Sequence, residues 1–319
     1  LIADVGATNA RFAVVSPEAG LQRPRVLACG DYATIHGAIA AYPEDELPLT
    51  DVQRLEAAAF AIAGPVTDDQ VALTNHPWLF SIDELCGNLE VKQLHVVNDF
   101  AAVALAMPYL DPDERIQIGG GEPLSDAPVG VLGPGSGLGV GGLVLAASGW
   151  LPLPGEGGHA TMAAANGRES AVLDRMRARY DHVSAERVLS GPGLVDLYNT
   201  LSEIDDVPAV AYTAAQITDP AVCESQSYCR EAVEIFCAML GTVAGNLALT
   251  LGARGGLYVA GGIVPKLGSR FAASAFRERF EAKGRLRPYL ARIPTYVVTH
   301  PFPAFLGLTA LLTRPHGKV

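Results

Sequence analysis

LIADVGATNARFAVV (residues 1–15) and VGVLGPGSGLGVGGLVLAA (residues 129–147) decide the fold. Each is an apolar run, a turn of small residues and a second apolar run, the pattern of a strand that turns tightly and returns. In the first, LIADV and RFAVV flank GATN. In the second, VGVL leads into GPGSGLGVGG and LVLAA follows. Two such units in one chain predict two lobes, each holding one. The length of 319 residues points the same way, because a single core usually stops growing below that size. There is no short-period repeat, so a solenoid is excluded.

Helices are read between and after these units. FAAVALAM (Phe100 to Met107) ends at Pro108, which cannot continue a helix. Ser170 to Tyr180 reads as amphipathic, and Ser184 as the cap of a helix that includes Glu186. From Arg230 to Leu251, Val233, Phe236, Cys237, Leu240, Val243, Ala244, Leu247 and Leu251 recur at helical spacing, and Gly252 and Gly255 can end the run. Gly255 to Ala260 is a strand, and Gly261-Gly262 opens the next helix. Strands alternating with helices predict α/β lobes with mixed sheets.

The composition, 49% apolar and 18% charged, is globular and not disordered. A net charge of −11 without a basic cluster excludes a nucleic-acid binder and leaves any anionic ligand to local groups. The five cysteines are scattered without a CxxC pair, which suggests neither a zinc site nor a disulfide framework and fits a reducing cytoplasm. The first residues read as a strand, not as a leader. The most apolar helix carries Glu231, Glu234 and Asn246, so it reads as buried and not as a membrane span.

The two turns are candidate phosphate cradles. Asp4 closes a strand, and Gly6, Ala7 and Thr8 follow it; the backbone amides can hold phosphate and the carboxylate can orient a hydrated Mg²⁺. An ordinary hairpin turn uses the same residues. In Gly133-Pro134-Gly135-Ser136-Gly137, Pro134 has no N–H, so the expected donors are Gly135, Ser136 and Gly137. Gly137-x-Gly139-x-x-Gly142 matches the dinucleotide fingerprint, but a strand follows it where that motif needs a helix. The kinase motifs VAIK, HRD and DFG are missing, as is a Walker A sequence.

Asn98-Asp99 follows the strand LHVV and opens a helix. A carboxylate there is stabilised by the helix dipole, and it can act as a general base or simply cap the helix. Leu153 to His159 (LPGEGGH) places Glu156 and His159 on a glycine-rich loop able to offer several hydrogen-bonding groups to a small polar ligand.

In this order DVGATNARF, TNHPWLFS, VVNDFAAVALA, GPGSGLGV, LPGEGGHA, SAERVLSGPGLV and YVAGGIVPK resemble bacterial glucokinases, from the first residues to about Leu308. The resemblance implies a two-lobed actin-like ATPase (ribonuclease H-like) fold with an interlobe cleft. The implied small α/β domain is 1–109 with 300–319, and the large one is 110–299. It implies ATP and Mg²⁺, glucose as substrate, Asp99 as catalytic base, and Asn98, Asp99, Glu156, His159 and Glu186 as sugar ligands. Asp4 to Thr8 and Gly133 to Gly137 become the phosphate loops, and Gly261-Gly262 an adenosine-side turn. A homodimer is implied, with no nucleic acid, membrane or protein-bound structural metal. The family usually has Gly-Gly-Thr where Gly6-Ala7-Thr8 stands here, which Ala7 tolerates only at negative φ. Ala160 to Ser170 lacks cysteine, which sets the chain apart from the zinc-containing sugar kinases. The rivals are a kinase for another hexose, a sugar-sensing regulator and an actin-like assembly protein.

Overall fold

The computed structural model describes residues 1–16, 18–42, 55–74 and 76–313. Asn75 of the TNHPWLFS block and the last part, 314–319, of the 300–319 segment lie outside the described residues. The chain divides into two compact units, one of Leu1–Leu110, Trp150–Pro154 and Pro301–Val319, the other of Asp111–Gly149 and Gly155–His300.

In the first unit, β1 (Ile2–Val5), β2 (Asn9–Ser16), β3 (Gly20–Ala28), β4 (Ala57–Ile62) and β7 (Gln93–Asn98) form a sheet in the order β3-β2-β1-β4-β7. The short β5 (Gln70–Ala72) and β6 (Leu79–Ser81) pair separately. The hairpin strands are antiparallel, while β1, β4 and β7 run parallel, with Val5 opposite Ile62 and Ile62 opposite Asn98. That register brings the ends of β1 and β7, and hence Asp4 and Asn98-Asp99, to one edge of the sheet. The carboxyl ends of parallel strands are where α/β sheets bind ligands. β4 is AAAFAI, and its small residues let helices lie close on it. The helix Asp99–Ala106 packs against the helix Pro303–Leu312, and a Cβ on Gly307 would collide with the Ala102 carbonyl, so the two backbones touch.

In the second unit, β8 (Arg115–Ile118), β9 (Val129–Pro134), β10 (Leu138–Ala146), β11 (Gly149–Gly155), β12 (Gly256–Val259) and β13 (Thr295–Val298) follow the order β11-β10-β9-β12-β13-β8. β9, β12 and β13 are parallel; β10 and β8 are antiparallel to their neighbours. Ser227–Leu251 is long and apolar enough to cross a membrane by length and composition, yet Phe236, Cys237, Leu240, Ala244 and Ala248 are buried in this unit's core. Each such large apolar side chain contributes roughly 1.5–3 kcal/mol. Gly252 ends the helix in the left-handed conformation, φ 61°.

Three expectations need correction. β10 starts at Leu138, so Gly139, Gly141 and Gly142 are strand residues and the second turn is shorter than read. The helix expected over Ser170 to Tyr180 is Gly167–Arg177, started by Asn166, whose side chain accepts from the Glu169 amide. Residues 184–190 form no helix. Ser184 Oγ accepts from Arg187 N at 3.3 Å and stabilises a turn, because Ala185 and Glu186 are drawn instead into bonds with Ala160 and Gly158.

Candidate active site

In the first unit the turn after β1 closes through Gly6 N to Asn9 O at 3.0 Å. It is held from below by Cys29, whose amide donates to Thr8 O at 2.9 Å and whose thiol donates to Gly6 O at 3.3 Å. Ala7 is not among the residues with positive φ, so its methyl is accommodated without backbone strain. Asp4 sits opposite Arg11 in the hairpin register, and Arg11 Nη1 donates to Asp4 Oδ2 at 2.9 Å. Burial pushes the Asp4 carboxyl above the ordinary carboxylate range, with the Arg11 charge pulling the other way. Arg11 was not singled out from sequence. The cross-strand register of a four-residue turn was the available signal.

At the end of β7, Asn98 and Asp99 together form the start of the next helix. Asn98 is the cap: its Oδ1 accepts from Phe100 N at 2.9 Å and Ala101 N at 3.2 Å. Its Nδ2 donates to Gly64 O at 3.1 Å, which fixes the amide's orientation. Asp99 is the first helical residue, with Oδ1 accepting from Phe100 N at 2.8 Å. The capping work falls on Asn98, and Asp99 presents a partly buried carboxylate at the positive end of the helix.

The second unit assembles four sequence blocks around the Gly133 to Gly137 turn. Gly133 lies in β9, paired with Gly139. Gly135 N donates within the turn to Gly137 O at 2.8 Å, so the expectation that this amide faces a ligand is corrected. Among the described residues, the amides of Ser136 and Gly137 are the ones left over. Gly191 N donates to Gly135 O at 2.8 Å, while Ser190 Oγ accepts from Gly193 N at 3.0 Å. The SGPG run therefore uses the start of the helix Gly191–Ile204 to pin the turn, and the positive end of that helix points towards it. Gly261, at φ 85°, lies so close that a Cβ would collide with the Pro134 carbonyl, and Ile263 N donates to Pro134 O at 3.4 Å. No protein atom lies within 4 Å of where a Cβ of Gly135 or Gly262 would sit, which leaves room for a ligand to meet that backbone.

Glu186 reaches this same turn: its Oε2 accepts from Leu138 N at 2.8 Å. Its own amide donates to Gly158 O at 2.9 Å, inside the turn Gly157–His159. Glu156, just before that turn, and His159, its last residue, are exposed, and their side chains have no hydrogen-bond partner among the described residues. The structure thus brings Glu156, His159, Glu186, Ser136, Gly137, Gly261 and Gly262 into one neighbourhood of the second unit. Asp4 to Thr8 and Asn98-Asp99 share one sheet edge in the first. Gly64 and Gly191 were missed from sequence, since their roles rest on bonds across long chain separations.

A glucokinase family model matches residues 1–315. A glucokinase of Paramagnetospirillum magneticum is 50% identical over 316 residues, covering 99% of this chain and 98% of its own. The crystal structure of a glucokinase from an Antarctic psychrotroph is 36% identical and superposes with a TM-score of 0.86, over 99% of this chain and 98% of that one. A glucokinase of Balamuthia mandrillaris, solved in complex with glucose, shares the fold at a TM-score of 0.80 and 21% identity, over 98% of this chain and 93% of that one.

Proposed function

The chain belongs to the glucokinase family, and we propose that it moves the γ-phosphoryl group of ATP to the 6-hydroxyl of glucose with Asp99 as the proton acceptor. The architecture is the actin-like ATPase fold of the sugar kinases. The single observation that carries the role of Asp99 is the capping arrangement: Asn98 satisfies the first amides of the helix, so the carboxylate beside it is not required as a cap.

A sugar hydroxyl is a poor nucleophile at neutral pH. As its oxygen bonds to the γ-phosphorus and the bond to the β–γ bridging oxygen breaks, its proton passes to Asp99, and ADP leaves with the bridging oxygen. Such base catalysis is worth ~10²–10⁴-fold. In the second unit, the side chains of Glu156 and His159 have no hydrogen-bond partner among the described residues and are available to neighbouring sugar hydroxyls, and Glu186 has one oxygen to offer. The amides of Ser136 and Gly137 are placed to receive phosphate oxygens, and the Gly261-Gly262 backbone offers an open edge to the nucleoside. In the first unit, the backbone of Gly6 to Thr8 is a second candidate phosphate cradle.

Mg²⁺ supplies charge neutralisation on the phosphates when bound. Among the described residues no three His, Cys, Asp or Glu side chains cluster to cage a metal ion. Mg²⁺ in general keeps several waters and is bound through one or two carboxylates together with substrate phosphates. Asp4 is the carboxylate to hold such a hydrated ion: Arg11 occupies Oδ2 and leaves Oδ1.

The test is Asp99→Asn, assayed by coupled ADP release over glucose, mannose, fructose and N-acetylglucosamine. For glucose kcat should fall ~10²–10⁴-fold while the sugar still binds. Near-normal kcat in a folded variant removes Asp99 from the mechanism. Turnover fastest with another hexose replaces glucose as the substrate.

A further inference from the structure

We propose that Glu186 is a positioning residue that couples sugar binding to nucleotide binding, by holding the phosphate turn with one carboxylate oxygen and a sugar hydroxyl with the other. The inference rests on the reading of the site given above and assigns Glu186 a role distinct from those of Glu156 and His159.

The geometry is specific. Glu186 Oε2 accepts from Leu138 N, 2.8 Å away and 48 residues distant in sequence. Leu138 follows Gly137 directly and begins β10, so this bond fixes the exit of the turn whose last two amides, in the reading above, are offered to phosphate. Gly137 lies so near the carboxylate that a Cβ there would fall on it. The Glu186 backbone is tied to the Gly157–His159 turn through Gly158 O at 2.9 Å. One residue is therefore bonded to both glycine-rich segments, by its main chain to one and by its side chain to the other. Oε1 has no hydrogen-bond partner among the described residues.

A carboxylate oxygen that accepts a backbone N–H makes a charge-assisted bond, shorter and stronger than a neutral one. A hydroxyl donating to Oε1 restricts the carboxylate further and, through Leu138 N, the turn. A turn already ordered pays less to receive a phosphate, so sugar should tighten nucleotide binding and nucleotide should tighten sugar by the same factor. Glu156 and His159 have no bond to the turn and should not report on it.

The measurement is calorimetric titration of ADP, with magnesium chloride in the buffer, into wild type, Glu186→Ala, Glu186→Asp, Glu186→Gln and Glu156→Gln, with and without saturating glucose. In wild type, glucose should tighten ADP about 5-fold or more, the lower end of typical coupling. Without sugar, Glu186→Ala and Glu186→Asp should bind ADP ~10-fold more weakly, the worth of one bond to a charged group, and the glucose effect should vanish. The Asp side chain keeps the charge but is one methylene short. Glu186→Gln keeps a carbonyl acceptor for Leu138 N and should stay within about 3-fold of wild type without sugar, although its glucose affinity falls. Glu156→Gln should lose glucose affinity with unchanged sugar-free ADP binding. Thermal unfolding of each variant confirms folding. Wild-type ADP affinity in both folded Ala and Asp variants, or no glucose effect on ADP in wild type, overturns the coupling while leaving glucose turnover intact. A wild-type protein that does not phosphorylate glucose overturns the site reading beneath it as well.

Discussion

Asp4 in the first unit and Glu169 in the second are each paired with an arginine, and the two pairs end in opposite states. Asp4 has one guanidinium nitrogen at 2.9 Å, and burial still pushes its carboxyl up. Glu169, with a side chain only 1% exposed, would also be raised by burial alone. Instead Arg279 at 2.6 and 3.1 Å, the Ala165 amide at 2.7 Å and Asn166 Nδ2 at 2.9 Å together hold its carboxyl below the ordinary range. Four donors overcome desolvation where one does not. The well-served carboxylate is committed to structure. The under-served one, 21% exposed at a strand end beside the first turn, has Arg11 as its one charged partner among the described residues.

The contrast can be broken most forcefully at Glu169. Glu169→Ala leaves Arg279, 15% exposed, with Thr242 but without its carboxylate partner, and should cost about 3 kcal/mol, the low end for breaking a buried pair, read by denaturant unfolding. A loss below 1 kcal/mol would place Glu169 on a par with exposed ion pairs. Asp4→Asn should do the reverse. The thermal midpoint at pH 7 should stay level or rise, because the penalty of burying the charge is removed and Arg11 is 38% exposed. Yet kcat/KM for ATP should drop ~10-fold or more, about 1.4 kcal/mol of lost charge interaction. A destabilised Asp4→Asn with normal ATP kinetics would make Asp4 the structural member of the two.

Acid sharpens the same comparison. The Glu169 pKa in the fold lies below its ordinary 4.5, so its stabilisation is complete above 4.5 and is lost as pH falls through the folded value. The Asp4 pKa lies above its ordinary 3.8, so the fold holds that proton longer than the unfolded chain, and stability declines as pH rises from 3.8 through the folded value. Unfolding curves taken from neutrality into acid should therefore show a shallower acid loss in Glu169→Gln than in wild type. Asp4→Asn should show a gain confined to pH above 3.8. The smallest effect belongs to Ala7→Gly. With φ already negative at Ala7, the change mainly frees the unfolded chain, by about 0.4–1 kcal/mol. KM for ATP should move less than ~3-fold, under 0.7 kcal/mol. A collapse of activity would mean that the methyl itself is needed.

The two turns, the buried character of Ser227–Leu251 and its glycine stop were all legible in the sequence, because each depends on neighbours in the chain. The motif blocks were long enough to identify the family. What escaped was set at long range. Glu186 looked like a helix residue because Ser184 is a good cap, but Gly158 and Leu138 claim its amide and carboxylate. Gly135 looked like a donor because no local rule says that its N–H turns inward to Gly137. Sequence alone does not divide the capping between Asn98 and Asp99: Asn98 caps the helix because it is aimed by Gly64, on the loop after the neighbouring strand β4.

The contact of Gly307 on Ala102 has a consequence for biosynthesis. The helix that begins with Asp99 leaves the ribosome early, but Pro303–Leu312, which covers it, is translated only after the whole second unit. Until then the face of the earlier helix that Gly307 meets at Ala102 is uncovered. The second unit is free to fold first, and the first must close around a late arrival, a non-local step that is slow and exposes apolar surface to aggregation. A nascent chain stalled before Pro303 would thus display an unfinished first unit, with the face of the helix Asp99–Ala106 that meets Gly307 still exposed.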